Sequence, residues 1–487
     1  MTRRSSLLAT VAVTVLVSGP GLAAGAPPRS ARSAAIDALV SRYAELGLFN
    51  GSALVAERGS VILKKGYGLA NEEWRIPNQP DTVFRLGSVT KQFTSMLVLQ
   101  LVDEGKLALD ARLSDVLPYY RKDTGSRITI HNLLNHTSGI PNYTTPTFFA
   151  ESARSHFTVE QFVTKFCSGE LEFDPGSRFA YSNSGYYALG AVVERVTGKP
   201  YGEVLAQRIT KPLGMRSTRL DDAVSVIEHR AAGYQRDGQA LGNAPFLDMT
   251  AAFSAGALVS TVEDLYLWDQ ALYAGTLLSP KLTKAMFTPG LGDYAYGWGV
   301  REAPIGPGKA NRTVIGHDGG IYGFESLIRR IVDERHLVVL LDNHRGSSLR
   351  EIYDGIADIL YGRTPPPPKR PIGEALARTI AASGVAAAIA QYREAKRSEP
   401  DAWDFSETQL NLLGYALLGE RKVEDAIAVF KLNAEAFPQS GNVYDSLAEA
   451  LAAAGQKEQA IKNYARSLEL DPTNRNAADQ LAKLTTP

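Results

Sequence analysis

"SALVAERGSVILKKGYG", Ser52 to Gly68, is two apolar runs on either side of Arg58-Gly59-Ser60, the pattern of a β-hairpin. A second such pattern, "ESLIRRIVDERHLVVLLDN", Glu325 to Asn343, turns at Asp333-Glu334. Between the two, most segments repeat their apolar residues with a helical period. Strands at both ends of a helical middle predict an α+β fold. In it an antiparallel sheet is built from both ends of the domain, with helices on its faces and a helical subdomain. "SSLREIYDGIADILYG", Ser347 to Gly362, reads as a helix packed back on that sheet.

With 487 residues the chain exceeds one ordinary core. It divides at "RTPPPPKRP", residues 363–371, where four consecutive prolines favour a stiff extended spacer. The α+β domain occupies residues 32–362, and residues 372–487 are rich in Ala, Leu and Glu, with no strand signal. This second part repeats itself. Ala426-Ile427 leads to Phe430 and Pro438, and Ala460-Ile461, 34 residues on, leads to Tyr464 and Pro472. Leu413-Gly414 and Leu417 match Leu447-Ala448 and Leu451, and a looser copy holds Ala388-Ile389, Tyr392 and Pro400. The period and its landmarks resemble the tetratricopeptide repeat, which implies an all-α domain of paired helices, with a capping helix from Asn474 onwards.

Residues 1–26 read as an export signal. Arg3 and Arg4 precede the apolar "LLATVAVTVLVSG", and "GLAAGA" supplies small residues for cleavage between Ala23 and Ala26. No cysteine near that point suits a lipoprotein, and the export route stays open. No long apolar stretch follows, so the expectation is an exported protein, periplasmic or secreted, without a membrane span after signal removal. Lys plus Arg and Asp plus Glu both total 52, so no net field draws nucleic acid or an anionic membrane. The partners expected are a small-molecule or peptide substrate and, through the helical repeats, a protein. The single cysteine, Cys167 in "QFVTKFCSGEL", reads as an apolar residue of a buried helix.

Chemistry enters at "FRLGSVTKQF", Phe84 to Phe93. Ser88 and Lys91 stand three apart at the start of a helical run that ends at Gly105. About one or two S-x-x-K tetrads arise by chance in a chain this long, and this is the only one present. One helical turn puts both side chains on one face. The helix N-terminus favours an oxyanion beside Ser88, and burial would lower the lysine pKa enough to take the hydroxyl proton. "FAYSNSGYYALG" holds Tyr181-Ser182-Asn183, the only Y-x-N: a phenol able to shuttle a proton and an amide able to bind substrate. "VIGHDGGIYGF" holds His317-Asp318-Gly319-Gly320 beside the second hairpin, where glycines let a strand edge approach an acyl group. Met alone, these would be a core tyrosine, a turn asparagine and a glycine-rich turn. Seven scattered histidines show no metal-binding spacing, so neither metal nor cofactor is expected.

Together these motifs resemble the serine β-lactamase and penicillin-binding protein superfamily, nearest its class C branch of D-alanyl-D-alanine carboxypeptidases, D-aminopeptidases and esterases. "ITIHNLLNHTSGIP", "FDPGSRFAYSNSGYYALG" and "ITKPLGM" extend the similarity from about Ile36 to Tyr361. The resemblance implies an acylated Ser88, Lys91 as its base and Tyr181 as proton shuttle. It makes Asn183, His317, Gly319 and Gly320 substrate-binding, with the N–H groups of Ser88 and Gly320 forming an oxyanion hole. His136 has a structural role on this reading, and His344-Arg345-Gly346 is a second H-x-G set aside for its place after the last strand. His317 stands where a lysine is usual, so a β-lactam carboxylate meets a weaker cation, unless Asp318 raises the histidine pKa. The function expected is an exported serine hydrolase forming an acyl-enzyme on D-amino-acid peptides, esters or related amides. The alternatives are a β-lactamase, or a non-catalytic penicillin-binding sensor signalling through its repeats. The helical region would bind a protein or, alternatively, dock on the hydrolase and shape its cleft.

Overall fold

The computed structural model describes residues 28–237, 240–306 and 310–485; the expected export signal, residues 1–26, lies outside the described residues. Six strands form one antiparallel sheet. They are β1 (Gly51–Glu57), β2 (Ser60–Tyr67), β3 (Gly299–Pro304), β4 (Asn311–Ile321), β5 (Phe324–Ile331) and β6 (His336–Asp342), in the order β3-β4-β5-β6-β1-β2. The two hairpins read in the sequence meet edge to edge, with β1 against β6 from Gly51↔Asp342 to Ala56↔Leu337. Arg58 and Gly59 both take positive φ, as a two-residue hairpin turn requires. The Gly59 N–H donates to the Arg335 carbonyl at 2.8 Å, tying the two hairpin tips together.

Five helices frame the sheet and the site: α1 (Arg29–Glu45), α2 (Thr90–Asp103), α3 (Asn183–Thr197), α4 (Phe253–Gly256) and α5 (Leu349–Leu360). The period-2 alternation of the central strands divides the core in two. Ala53, Val55, Val338 and Leu340 pack on the side of α1 and α5. Leu54, Ala56, Val339 and Leu341 face the larger cluster that includes α2 and α3. With both faces covered, every residue of β1 and β6 is buried. Helix α2 is buried on nearly every side, as its apolar run predicts, and Gly105 follows its end with φ +68°. Cys167 is buried, but it ends the helix Val159–Phe166 rather than lying within it.

Residues 372–485 fold into paired helices: α6 (Ile372–Ser383), α7 (Val385–Ser398), α8 (Glu407–Gly419), α9 (Val423–Ala436), α10 (Gly441–Ala453), α11 (Lys457–Leu470) and α12 (Arg475–Thr485). The starts of α10 and α11 follow those of α8 and α9 by the same 34 residues read in the sequence. The small residues sit where helices touch. Ala426, Ala448 and Ala460 are fully buried, and a Cβ on Gly414 would come within 2.5 Å of the Phe430 ring. The expectation of no strand beyond the spacer needs one correction. Trp403–Asp404 pairs in parallel with Arg370–Pro371, so the end of the proline-rich segment is pinned. A residue before proline is already extended, which leaves its backbone ready for such a ladder. Arg370 adds a guanidinium 3.9 Å over the Trp403 ring and an ion pair to Glu399 at 2.6 Å. Among the described residues, no helix is long and apolar enough to cross a membrane.

Candidate active site

Ser88 lies in the 3-10 turn Gly87–Val89, which runs directly into α2. Lys91, in the first turn of α2, is wholly buried. Its Nζ stands 2.9 Å from Ser88 Oγ, 2.8 Å from Asn183 Oδ1 and 2.8 Å from the Ala255 carbonyl oxygen. Burial pushes the Lys91 amine well below the usual lysine range. Asn183 and Ala255 can only accept at those oxygens, so they take two Lys91 protons. An uncharged amine then has its lone pair left for the third neighbour, the Ser88 hydroxyl.

Asn183 begins α3, and its amide is fixed at both ends: Oδ1 on Lys91, Nδ2 on Thr144 Oγ1 at 3.2 Å. The Tyr181 phenol, two residues earlier, is raised by burial, and a hydrogen bond with Ser88 offsets part of that rise. Lys91 Nζ lies 4.9 Å from the Tyr181 ring centre. The His136 ring packs 4.2 Å from that ring, and its Nδ1 accepts from the Ser182 N–H at 3.1 Å. Burial, then the nearby Lys91 and His317, hold His136 far below its usual pKa, so it braces Tyr181 as a neutral ring. His136 and Phe253 both take positive φ, an uncommon state for bulky residues. One supports Tyr181; the other lies in the turn that delivers the Ala255 carbonyl.

Strand β4 brings the third motif to the same place. A Cβ on Gly319 would stand 2.0 Å from the Leu86 carbonyl oxygen, and one on Gly87 2.7 Å from the Gly320 nitrogen. Only glycine permits this approach of strand edge to the Ser88 turn. His317 Nδ1 lies 2.6 Å from the Asp318 carbonyl, so Nδ1 carries the proton, and the Tyr294 hydroxyl donates to Nε2 at 2.9 Å. Burial and Lys91 lower the His317 pKa to about 4. Asp318 does not restore the cation. Although burial works against its charge, its carboxylate pairs with Arg329 and with Arg350 at 2.6 Å, which hold it ionised and spend its field elsewhere. The third motif therefore presents a neutral imidazole.

The structure brings Ser88, Lys91, Tyr181, Asn183, Gly319 and Gly320 together, while His317 stands behind Tyr181, 6.2 Å between ring centres, and the two line a separate recess. Gly87, Thr144, the Ala255 carbonyl and Tyr294 were not singled out in the sequence. A backbone carbonyl has no side-chain signature, and Gly87 could have been noted only as a glycine preceding the serine. Ser88, Asn183 and Gly320 line a cleft of about 1190 Å³. His344, set aside in the sequence, lines it too, with its Nε2 3.1 Å from Glu72.

A serine turned toward a buried lysine at the tip of a helix, beside the edge of an antiparallel sheet, defines the serine-hydrolase class. The model of the Beta-lactamase family matches residues 34–362, and the chain belongs to that family as one of its serine hydrolases. Penicillin-binding protein 4* of Bacillus subtilis (strain 168) is 27% identical over 361 residues, covering 69% of this chain and 78% of that protein. Teichoic acid D-alanine hydrolase of Staphylococcus aureus (strain MRSA252) is 27% identical over 325 residues, covering 65% of this chain and 77% of that protein. The crystal structure of a D-stereospecific amidohydrolase from Streptomyces sp. superposes with a TM-score of 0.56 at 28% identity, covering 68% of this chain and 98% of that one.

Proposed function

We propose that this is an exported hydrolase that forms an acyl-enzyme through Ser88 on D-amino-acid amides, peptides or esters. The observation that carries it is Lys91 Nζ, held by Asn183 Oδ1 and the Ala255 carbonyl 2.9 Å from Ser88 Oγ. In the first step the Ser88 proton passes to Lys91 as Oγ bonds to the substrate carbonyl carbon. The N–H groups of Ser88 and Gly320 hold the resulting oxyanion. Collapse breaks the bond to the amine or alcohol, which takes the Lys91 proton by way of Tyr181. Water then attacks the acyl ester, Lys91 takes its proton, and Ser88 leaves with a proton restored.

Two considerations favour D-amino-acid amides and esters over β-lactams. His317 is neutral and its Nε2 is occupied by Tyr294, so it offers no fixed charge to a β-lactam carboxylate. Two of the similar proteins are named for acting on D-alanine or on D-amides. The helical region, read as tetratricopeptide repeats, would extend substrate contacts or bind a protein partner. The test is steady-state hydrolysis of D- and L-alanine p-nitroanilides, a short p-nitrophenyl ester and a chromogenic cephalosporin. Multiple turnovers with a D-over-L preference of at least about tenfold, and slow cephalosporin release, are expected. A single burst with every substrate would make the protein a sensor, and preference for the L-amide or cephalosporin would overturn the substrate assignment.

The strand approach makes a further prediction. Gly319→Ala forces the added methyl against the Leu86 carbonyl and moves β4 off the Ser88 turn. The kcat should fall at least about 100-fold, the scale of losing one oxyanion donor. Thermal melting run beside the kinetics separates this from the overpacking cost, about 1–3 kcal/mol.

A further inference from the structure

The cleft that holds Ser88 does not end at the residues matched by the family. Helices α6 and α8, beyond residue 362, form one wall of it: Arg378 and Ala381 come from α6, Leu412 and Ala416 from α8, and Glu420 directly follows α8. At about 1190 Å³ it is larger than the roughly 300–1,000 Å³ of most small-molecule sites. A single D-amino acid would leave much of that space unfilled. Leu412 is 65% exposed on this wall, and Phe149 and Tyr322 of the hydrolase domain line the same cleft. The charges nearby pair among themselves: Arg378 lies 3.9 Å from Glu374, and Lys422 2.7 Å from Glu420. The wall is therefore apolar at Leu412 and carries no net field for a polyanion. The spacer keeps it in place, with Pro365 beside Gly355 on α5 and Arg370–Pro371 laddered to Trp403–Asp404.

Resting on Ser88 as the reacting group, we propose that α6 and α8 form a distal subsite of the same cleft. It selects an oligopeptide whose portion remote from the scissile bond carries an apolar side chain. The helical region then acts on this substrate as a specificity element of the hydrolase, with Leu412 as the contact for that side chain. A peptide extended toward Leu412 removes apolar surface from water on both partners, which a short amide cannot do.

The experiment compares acetyl-Leu-Ala-D-Ala p-nitroanilide with acetyl-D-Ala p-nitroanilide, which share a scissile bond, in the full-length chain and in Leu412→Asp and Ala381→Trp. The quantity read is the ratio of kcat/KM, long over short, within each protein, which cancels any loss of active molecules. The wild-type ratio should exceed about 10 and fall at least about fivefold in each variant, mainly through KM. A wild-type ratio near one, or a ratio unmoved in both variants, would overturn the distal subsite. Hydrolysis of the short amide that survives Ser88→Ala would instead remove the reacting group, whatever the ratio shows.

Discussion

Replacing Ser88 by alanine is expected to lower kcat for a p-nitrophenyl ester by about 10⁴-fold or more, with KM little changed. The substitution removes the attacking atom and leaves the rest of the cleft, since Ser88 Oγ has Lys91 and Tyr181 as partners and no part in the core. The residual rate reports what the oxyanion donors and positioning achieve without a nucleophile. Thermal melting should change little. A variant that kept a tenth of the wild-type rate would show that the hydrolysis runs through another group, with water or a second side chain attacking directly.

Lys91→Met is the second large effect. Methionine fills nearly the same buried space but cannot accept a proton, so kcat/KM should fall by about 10³-fold, within the usual range for a positioned general base. The pH profile carries the sharper signature. The amine acts as a base only when uncharged, and burial lowers its pKa well below the ordinary lysine value of 10.5. Wild-type kcat/KM should therefore rise with pH through that lowered pKa, at a lower pH than an ordinary lysine would give. In Lys91→Met that acidic limb should vanish from whatever activity remains. A limb that persisted unchanged would assign the titration to another group. Neutral His317, whose pKa is about 4, is the first to test.

Much of this site is legible in the residues because its chemistry is local. Ser88 and Lys91 are one helical turn apart, Tyr181 and Asn183 flank a helix start, and Gly319 and Gly320 follow a strand. Each spacing carries its own geometry. The sheet is legible for the same reason, since two hairpins announce themselves by alternation and turn residues. What the residues do not announce is contact across the chain. The Ala255 carbonyl reaches Lys91 from 164 positions away, and Tyr294 reaches His317 from another segment. The balance between Asp318 and His317 could not be ranked because the deciding groups, Arg329 and Arg350, sit on β5 and α5. The helical region beyond residue 371 was legible as an element, but its place along the Ser88 cleft depends on the spacer. Its prolines disclose stiffness and not direction.

The most direct test is to trap the acyl-enzyme. Full-length protein is mixed with a slowly released acyl ester, quenched in acid within the first turnover, and weighed intact before peptide mapping. One acyl group per chain, carried on the peptide that contains Ser88 and lost in Ser88→Ala, is the result the geometry requires. Rapid hydrolysis with no adduct, or an adduct mapped to any other residue, would contradict it.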